Sequence, residues 1–202
     1  MQLTNVSFII SAPNKNSWPD DDVKEVCFLG KSNVGKSSLL NALTNNKKMA
    51  KVSSTPGCTK LINFFDVNGK YRLVDAPGYG YHKNSITSDK MFAKMMDEYI
   101  NERDNVRLFV LLVDSRHPLS DDDINCFNSL ITTGKEIVVV ATKADKLNQK
   151  MRSAYKKNIV DVFKEAGDIK IFLTGSLNKQ DIDKLALYID EAMMWIVLDK
   201  IR

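Results

Sequence analysis

Cysteine is scarce in this chain, histidine is scarcer, and each shortage removes a class of chemistry. Cys27, Cys58 and Cys126 are odd in number and widely spaced, with no CxxC pair and no histidine at metal-ligand spacing. A disulfide framework and a zinc site are therefore excluded, and a reducing, cytoplasmic setting fits. The only histidines are His82 and His117. His82 reads as a solvated loop residue, and His117, inside Arg116-His117-Pro118, as a group that fixes a loop or touches a partner. Long apolar runs are also missing. The most apolar segment, Met193 to Leu198, falls far short of the ~20 residues a membrane span needs. The N-terminus lacks the basic lead-in and apolar stretch of a secretion signal, so a soluble protein without a membrane partner is expected. There is no internal repeat and no low-complexity tract. Strong charge of one sign is lacking too: the net charge of +4 does not by itself demand a nucleic acid.

What is present is enough for one α/β domain with an ample core, since 44% of the 202 residues are hydrophobic and 27% charged. Its organising stretch is Gly30-Lys31-Ser32-Asn33-Val34-Gly35-Lys36-Ser37, a GxxxxGKS pattern between the apolar run Val26–Leu29 and the helix-like Ser38–Leu43. Gly30 and Gly35 allow backbone turns that a β-carbon would obstruct. Successive amides can then face phosphate oxygens, beside the positive end of a helix. Lys36 is placed to reach the β- and γ-phosphates and Ser37 to put a hydroxyl on Mg²⁺.

Around this loop, strand-like and helix-like segments alternate. Val6–Ile10 reads as an extra strand or arm, followed by a polar linker to Asp22. Strand Val23–Leu29 feeds the loop, and a helix runs from about Lys36 to Thr44. Leu61–Val67 and Tyr71–Val74 flank Asn68-Gly69, the signature of a type I′ hairpin. A helix is expected from about Asp89 to Arg103, with Met91, Met95 or Met96 and Tyr99 or Ile100 on one side. Val106–Val113 and Ile137–Ala141 read as strands covered on both faces. Between them, Ser120 followed by Asp121, Asp122 and Asp123 reads as a capped, dipole-matched helix start. After Asp145 comes a helix whose Lys146, Lys150, Lys157 and Lys164 oppose Leu147, Met151, Ala154, Val162 and Ala166. Ile169–Leu173 is the last strand and Asp181 to about Leu198 the last helix, with Met193-Met194-Trp195 read as core. The alternation predicts a three-layer α/β fold. Its sheet is mainly parallel and six-stranded with one antiparallel hairpin strand, helices cover both faces, and ligands bind at the carboxyl ends of the strands.

The remaining motifs fall at such strand ends. Asp75-Ala76-Pro77-Gly78 follows a strand, so Asp75 can approach Mg²⁺ through a water and the Gly78 amide can face the γ-phosphate. Thr142-Lys143-Ala144-Asp145 points to guanine, because one carboxylate can accept from both the N1 and the exocyclic amine of that base. Lys143 can lay its stem over the purine and brace the phosphate loop. A hydroxyl completing the Mg²⁺ shell only beside a γ-phosphate could come from Thr59, with Ser53, Ser54 and Thr55 as competitors. Many signalling GTPases carry a water-orienting glutamine after this DxxG pattern; here Tyr79 stands there, so slow intrinsic turnover is expected. Asn33 either shapes its loop or, as its likeness to GTPases with asparagine at this place implies, helps bind K⁺ beside the phosphates. The lysines at 47, 48, 51 and 60 and those after Asp145 suit either RNA phosphates or plain solvation.

These residues resemble a known group. The phosphate loop with Asn33, Thr55-Pro56-Gly57-Cys58-Thr59, Asp75-Ala76-Pro77-Gly78-Tyr79-Gly80-Tyr81, Asp114-Ser115-Arg116-His117-Pro118-Leu119 and Thr142-Lys143-Ala144-Asp145 are similar to those of the EngB/YsxC/YihA family of bacterial ribosome-assembly GTP-binding proteins. The likeness spans nearly the whole chain in unpermuted order. It implies a P-loop NTPase G domain over residues 23–202, preceded by an arm over 1–22, that binds GTP or GDP with Mg²⁺. By the same resemblance Thr59 is the second Mg²⁺ ligand beside Ser37. Gly57, Cys58, Thr59, Lys60 and Leu61 contact nucleotide, and Thr174-Gly175-Ser176 supports the guanine. The implied role is a GTPase of late large-subunit ribosome assembly, touching cell division and septation, with rRNA contact and a monomeric state and no DNA partner. Two departures from the broader GTPase pattern stand out: Thr142 where asparagine is common, and Gly175 where serine or alanine is usual.

Overall fold

The computed structural model describes residues 3–46, 49, 61–80, 86–175 and 178–195, without the side chains of 86–89, 165 and 195. Among the described residues, seven strands form one sheet in the order β1-β3-β4-β2-β5-β6-β7. The strands are β1 Val6–Ala12, β2 Glu25–Gly30, β3 Ile62–Val67, β4 Tyr71–Asp75, β5 Val106–Asp114, β6 Glu136–Thr142 and β7 Lys170–Leu173. Only β3 runs against the others, pairing antiparallel with both β1 and β4. The hairpin turn is the expected one, with φ of 56° at Asn68 and 66° at Gly69. The seventh strand is the N-terminal segment, which hydrogen-bonds along β3 as the sheet edge.

Why the middle strands read as unbroken apolar runs is visible in their alternation. Val26 and Phe28 of β2, Leu108, Val110 and Leu112 of β5, and Val138 and Val140 of β6 face one core, shared with α1 (Lys36–Thr44) and α5 (Lys179–Trp195). Cys27 and Leu29, Phe109, Leu111 and Val113, and Val139 and Ala141 face the other, under α2 (Ile86–Glu102), α3 (Asp121–Ile131) and α4 (Gln149–Val162). Both strand faces are covered, so the central residues of these strands are apolar on either side.

Two helix faces differ from expectation. In α2 the buried side is Met95, Met96, Tyr99 and Ile100, whereas Met91 is exposed. In α4 the inward stripe is Tyr155 and Ile159, leading to Phe163, while Met151, Ala154 and Val162 point to solvent. The sequence sets an apolar stripe opposite the lysines, but the helix buries one rotated from that axis. At the far end, Met193 is core and Met194 is half-exposed.

The amino ends of the strands hold a buried carboxylate, Glu25, which accepts from the Tyr99 hydroxyl at 2.8 Å and from the Arg103 guanidinium at 2.6 Å. Among the described residues, the phosphate loop, Asp75–Gly78 and Thr142–Asp145 lie at the opposite, carboxyl edge.

Candidate active site

The phosphate loop leaves β2 at Gly30 and enters α1 at Lys36. A β-carbon on Gly30 would meet the Leu112 carbonyl oxygen and Val34 Cγ1, each at 2.9 Å, so only glycine lets the loop pass this close to β5. Left-handed backbone at Asn33 (φ 65°) and Gly35 (φ 110°) then turns the chain twice. Asparagine tolerates that region better than other side chains, which accounts for Asn33 on loop shape alone. Gly35 is the N-cap of α1 and supplies no side-chain cap, and the first turn holds no acid. The leading amides of α1 are thus left to an anion, and a phosphate group fits them.

Beneath the loop, Asp75 ends β4 and is 2% exposed. Lys36 Nζ is ion-paired to its Oδ1. The chain after Asp75 is stitched to the loop: Ser32 N donates to the Tyr79 carbonyl at 2.9 Å, Tyr79 N to the Gly30 carbonyl at 3.3 Å, and Ser32 Oγ to the Gly78 carbonyl at 3.4 Å. Gly78 sits so close that a β-carbon would lie 3.0 Å from Ser32 N. The Ser37 hydroxyl and the Asp75 carboxylate are hard oxygen donors suited to Mg²⁺, which when bound would neutralise phosphate charge.

The Tyr79 phenol turns away from this cradle. It donates to Asp123 Oδ1 at 2.9 Å, while Asp123 Oδ2 accepts from the Ser120 amide at 3.0 Å and its hydroxyl at 2.7 Å. Burial, with Cys126 and Asp123 alongside, pushes the phenol's pKa far above its usual value. The acids at the start of α3 therefore do more than complement a helix dipole, because Asp123 closes a capping box and anchors Tyr79 together.

At the carboxyl end of the neighbouring strand, Thr142 ends β6, and its hydroxyl lies 2.6 Å from the Val34 carbonyl and 3.1 Å from that of Val113. Threonine thus takes up a bridging position between β6 and the phosphate loop. Lys143, left-handed at φ 59°, sends its ammonium to the Asn33 carbonyl and to Asp114 Oδ2, each at 2.8 Å. Burial raises the Asp114 carboxyl, but hydrogen bonds from Arg116 and Lys143 outweigh it and hold the group well below the usual range. Ala144 N donates to the Thr174 carbonyl at 3.1 Å, which ties the two base-side loops together. Gly175 abuts Asp145: a β-carbon there would be 2.9 Å from Asp145 Cβ and 3.1 Å from Oδ1. That contact is a reason for glycine where serine or alanine is usual.

The structure therefore gathers Gly30–Ser37, Asp75–Gly78, Thr142–Asp145, Thr174 and Gly175 at one edge, with Leu61 leading into β3. Gly57, Cys58, Thr59, Lys60 and Ser176 lie outside the described residues, as do Ser53, Ser54, Thr55 and His82. His117 is exposed, with its amide on the Asp114 carbonyl at 3.2 Å. Three relationships escaped the sequence: Tyr79 with Asp123, Thr142 with Val34, and Asp114 with Lys143. None has a local signature, since 44, 108 and 29 residues separate the partners.

A glycine-containing loop that opens a helix and a separate acid-bearing loop, both at the carboxyl edge of one sheet, are the layout of a P-loop GTPase. A family model described as 50S ribosome-binding GTPase matches residues 25–143. A probable GTP-binding protein EngB of Mycoplasma mycoides subsp. mycoides is 46% identical over 95% of this chain and 98% of its own length. One from Clostridium beijerinckii is 45% identical over 92% of this chain and 93% of its own. The chain belongs to the EngB family of GTP-binding proteins, binds guanine nucleotide and hydrolyses GTP. A crystal structure of a probable GTP-binding protein EngB shares the fold, with a TM-score of 0.68 and 21% identity over 84% of this chain and 98% of that one. So does Era solved with MgGDPNP and 16S ribosomal RNA nucleotides, at TM-score 0.62 and 20% identity over 83% and 55%. Among the described residues no helix is long and apolar enough to cross a membrane.

Proposed function

We propose that this GTPase is a slow, Mg²⁺-dependent cytoplasmic switch that acts on the large ribosomal subunit or its precursor, late in assembly. The observation that carries the ribosomal part is the match of residues 25–143 to a family described as ribosome-binding. Within the site, Lys36 and the loop amides hold the β- and γ-phosphates, Gly78 senses the γ-phosphate, and Asp145 selects guanine over adenine. Ser37 and Thr59 are the proposed Mg²⁺ ligands, with Asp75 acting through a water. When nucleotide binds, Lys36 exchanges Asp75 for phosphate oxygens, and Asp75 is freed for its second task.

Hydrolysis joins a water oxygen to the γ-phosphorus and releases the bridging oxygen on GDP. This chain contributes charge stabilisation from Lys36 and the amides. The residue after Gly78 contributes no base, because its hydroxyl is committed to Asp123. That supports low intrinsic turnover raised by a partner. A K⁺ ion at Asn33 is a separate proposal, tested by GTPase rates in K⁺ against Na⁺ at equal ionic strength; equal rates remove it. Exposed Lys150, Lys156 and Lys157 on α4 offer a basic face for rRNA phosphates.

Co-sedimentation with ribosomal subunits under GTP, GDP and no nucleotide tests the reading. Nucleotide-dependent, salt-weakened binding to the large subunit is expected, and no binding in any state overturns it. Phosphate release with and without subunits then separates a switch that turns over from a module that only senses GTP.

A further inference from the structure

We propose that Asp114 is a positioning residue for guanine-nucleotide binding: it holds the Lys143 ammonium against the phosphate loop and so fixes the lysine stem as the platform for the purine. The proposal rests on the guanine-site reading above and adds a residue to it.

A lysine stem is a poor platform when free, because four rotatable bonds must be frozen for each base that lands on it. Here the freezing precedes the ligand. Lys143 Nζ is fastened at 2.8 Å to the Asn33 carbonyl and at 2.8 Å to Asp114 Oδ2. The carbonyl is neutral; the carboxylate alone matches the charge, and charge-assisted bonds are the stronger kind. With side chains 28% and 19% exposed, the pair is screened less than a surface ion pair.

Asp114 is itself held on several sides. The Arg116 amide and Nε donate to its Oδ1 at 3.1 and 3.0 Å, and Arg116 Nη2 to its Oδ2 at 2.8 Å. Its carbonyl accepts from the Tyr155 hydroxyl of α4 at 3.2 Å. Sheet register explains the reach. Asp114 is the Cα partner of Thr142 across the parallel β5–β6 pair, so a short acid at this strand end lies beside the residue that precedes Lys143. Within Asp114–Leu119, a segment so far without a task, the first residue thereby orients the platform and the third orients the first.

The test is a double-mutant cycle on GDP dissociation, read with a fluorescent GDP analogue in the full-length protein. Asp114→Asn keeps the shape and removes the charge; about a tenfold faster release is expected. Lys143→Met is expected to release faster still, and adding Asp114→Asn to it should change nothing, because the aspartate acts through the lysine. Full multiplication of the two effects, or an unchanged rate in Asp114→Asn, overturns the proposal. Should Asp114→Asn show no cooperative melt, Arg116→Gln serves instead, since that side chain is exposed and the residue-116 amide clamp survives. A roughly two- to threefold faster release that vanishes beside Lys143→Met is expected there, and a persistent or absent effect overturns the idea. Wild type serves as the control. If it does not prefer GDP to ADP, the guanine-site reading falls; if it does and the cycle multiplies, Asp114 alone is wrong.

Discussion

The Lys36 ammonium and the Asp75 carboxylate are ion-paired beneath the phosphate loop, with side chains 11% and 3% exposed. Removing one partner of such a pair strands the other, whereas replacing both by apolar groups need cost little. Asp75→Ala should therefore lower the stability of the nucleotide-free protein by about 3 kcal/mol. Lys36→Met with Asp75→Leu should recover most of that loss and still bind no GTP. Urea unfolding beside nucleotide titration checks both, and equal stability of the single and double variants would contradict the pairing.

Asp145 is the proposed acceptor for two donors of guanine. Asp145→Asn should weaken GDP on the order of 100-fold or more, since two charge-assisted hydrogen bonds are lost. ADP affinity should barely change. Equilibrium titration of both nucleotides decides the matter; a uniform loss would mean that the substitution had only disturbed the loop.

Gly175 leaves no room for a side chain. Gly175→Ala should displace Asp145 and cost about 1–2 kcal/mol of GDP binding, roughly tenfold, through overpacking. The melting temperature should move little, because the crowded atoms lie at the surface end of the sheet. Calorimetric titration of GDP against the variant measures it.

Tyr79 occupies a place where other GTPases put a catalytic amide, but its hydroxyl is bonded to Asp123. Tyr79→Phe should lower stability by about 1–2 kcal/mol. Single-turnover hydrolysis should stay within about twofold of wild type, since the backbone bonds to Ser32 and Gly30 are untouched. A large loss of rate would give the phenol a chemical role.

Alkaline pH should unfold the protein cooperatively. The hydroxyls of Tyr71, Tyr79, Tyr99 and Tyr188 donate to Asp190, Asp123, Glu25 and Glu136. Burial and these neighbours raise all four pKa values. Burial also lifts the Cys126 thiol to about 12. Groups whose folded pKa is raised stabilise the fold fully below their unfolded pKa, about 10 for tyrosine, and cease to do so as pH rises through the folded value. Tyrosinate absorbance should accordingly appear together with loss of circular dichroism. A gradual rise in a folded protein would contradict these contacts.

Strands and the phosphate loop were legible because their signals are local. Val106–Val113 announces a doubly covered strand by its own composition, Asn68-Gly69 a hairpin by its φ needs, and Gly30 to Ser37 a cradle by spacing. Helix faces were less so: α4 carries enough apolar residues that several stripes compete, and the one it buries, through Tyr155 and Ile159, is decided by β7 and the neighbouring core. Thr142 to Asp145 were legible as four residues after a strand, but not as an assembly. What joins Thr142 to Val34 and Lys143 to Asp114 is strand register, which no single segment encodes. Gly175 departs from the wider pattern because of Asp145, a neighbour in space and 30 residues away in sequence.

The Thr142 hydroxyl at Val34 and the Lys143 ammonium at Asn33 tie the loop proposed to hold the base to the loop proposed to hold the phosphates. Before any ligand arrives, these two contacts already set the spacing between the loop after β6 and the phosphate loop. A fragment that reaches only one side, a free base or a free phosphate, would meet the other side already spaced for the whole nucleotide. Discrimination between GTP and its fragments is then a matter of reach as well as of charge.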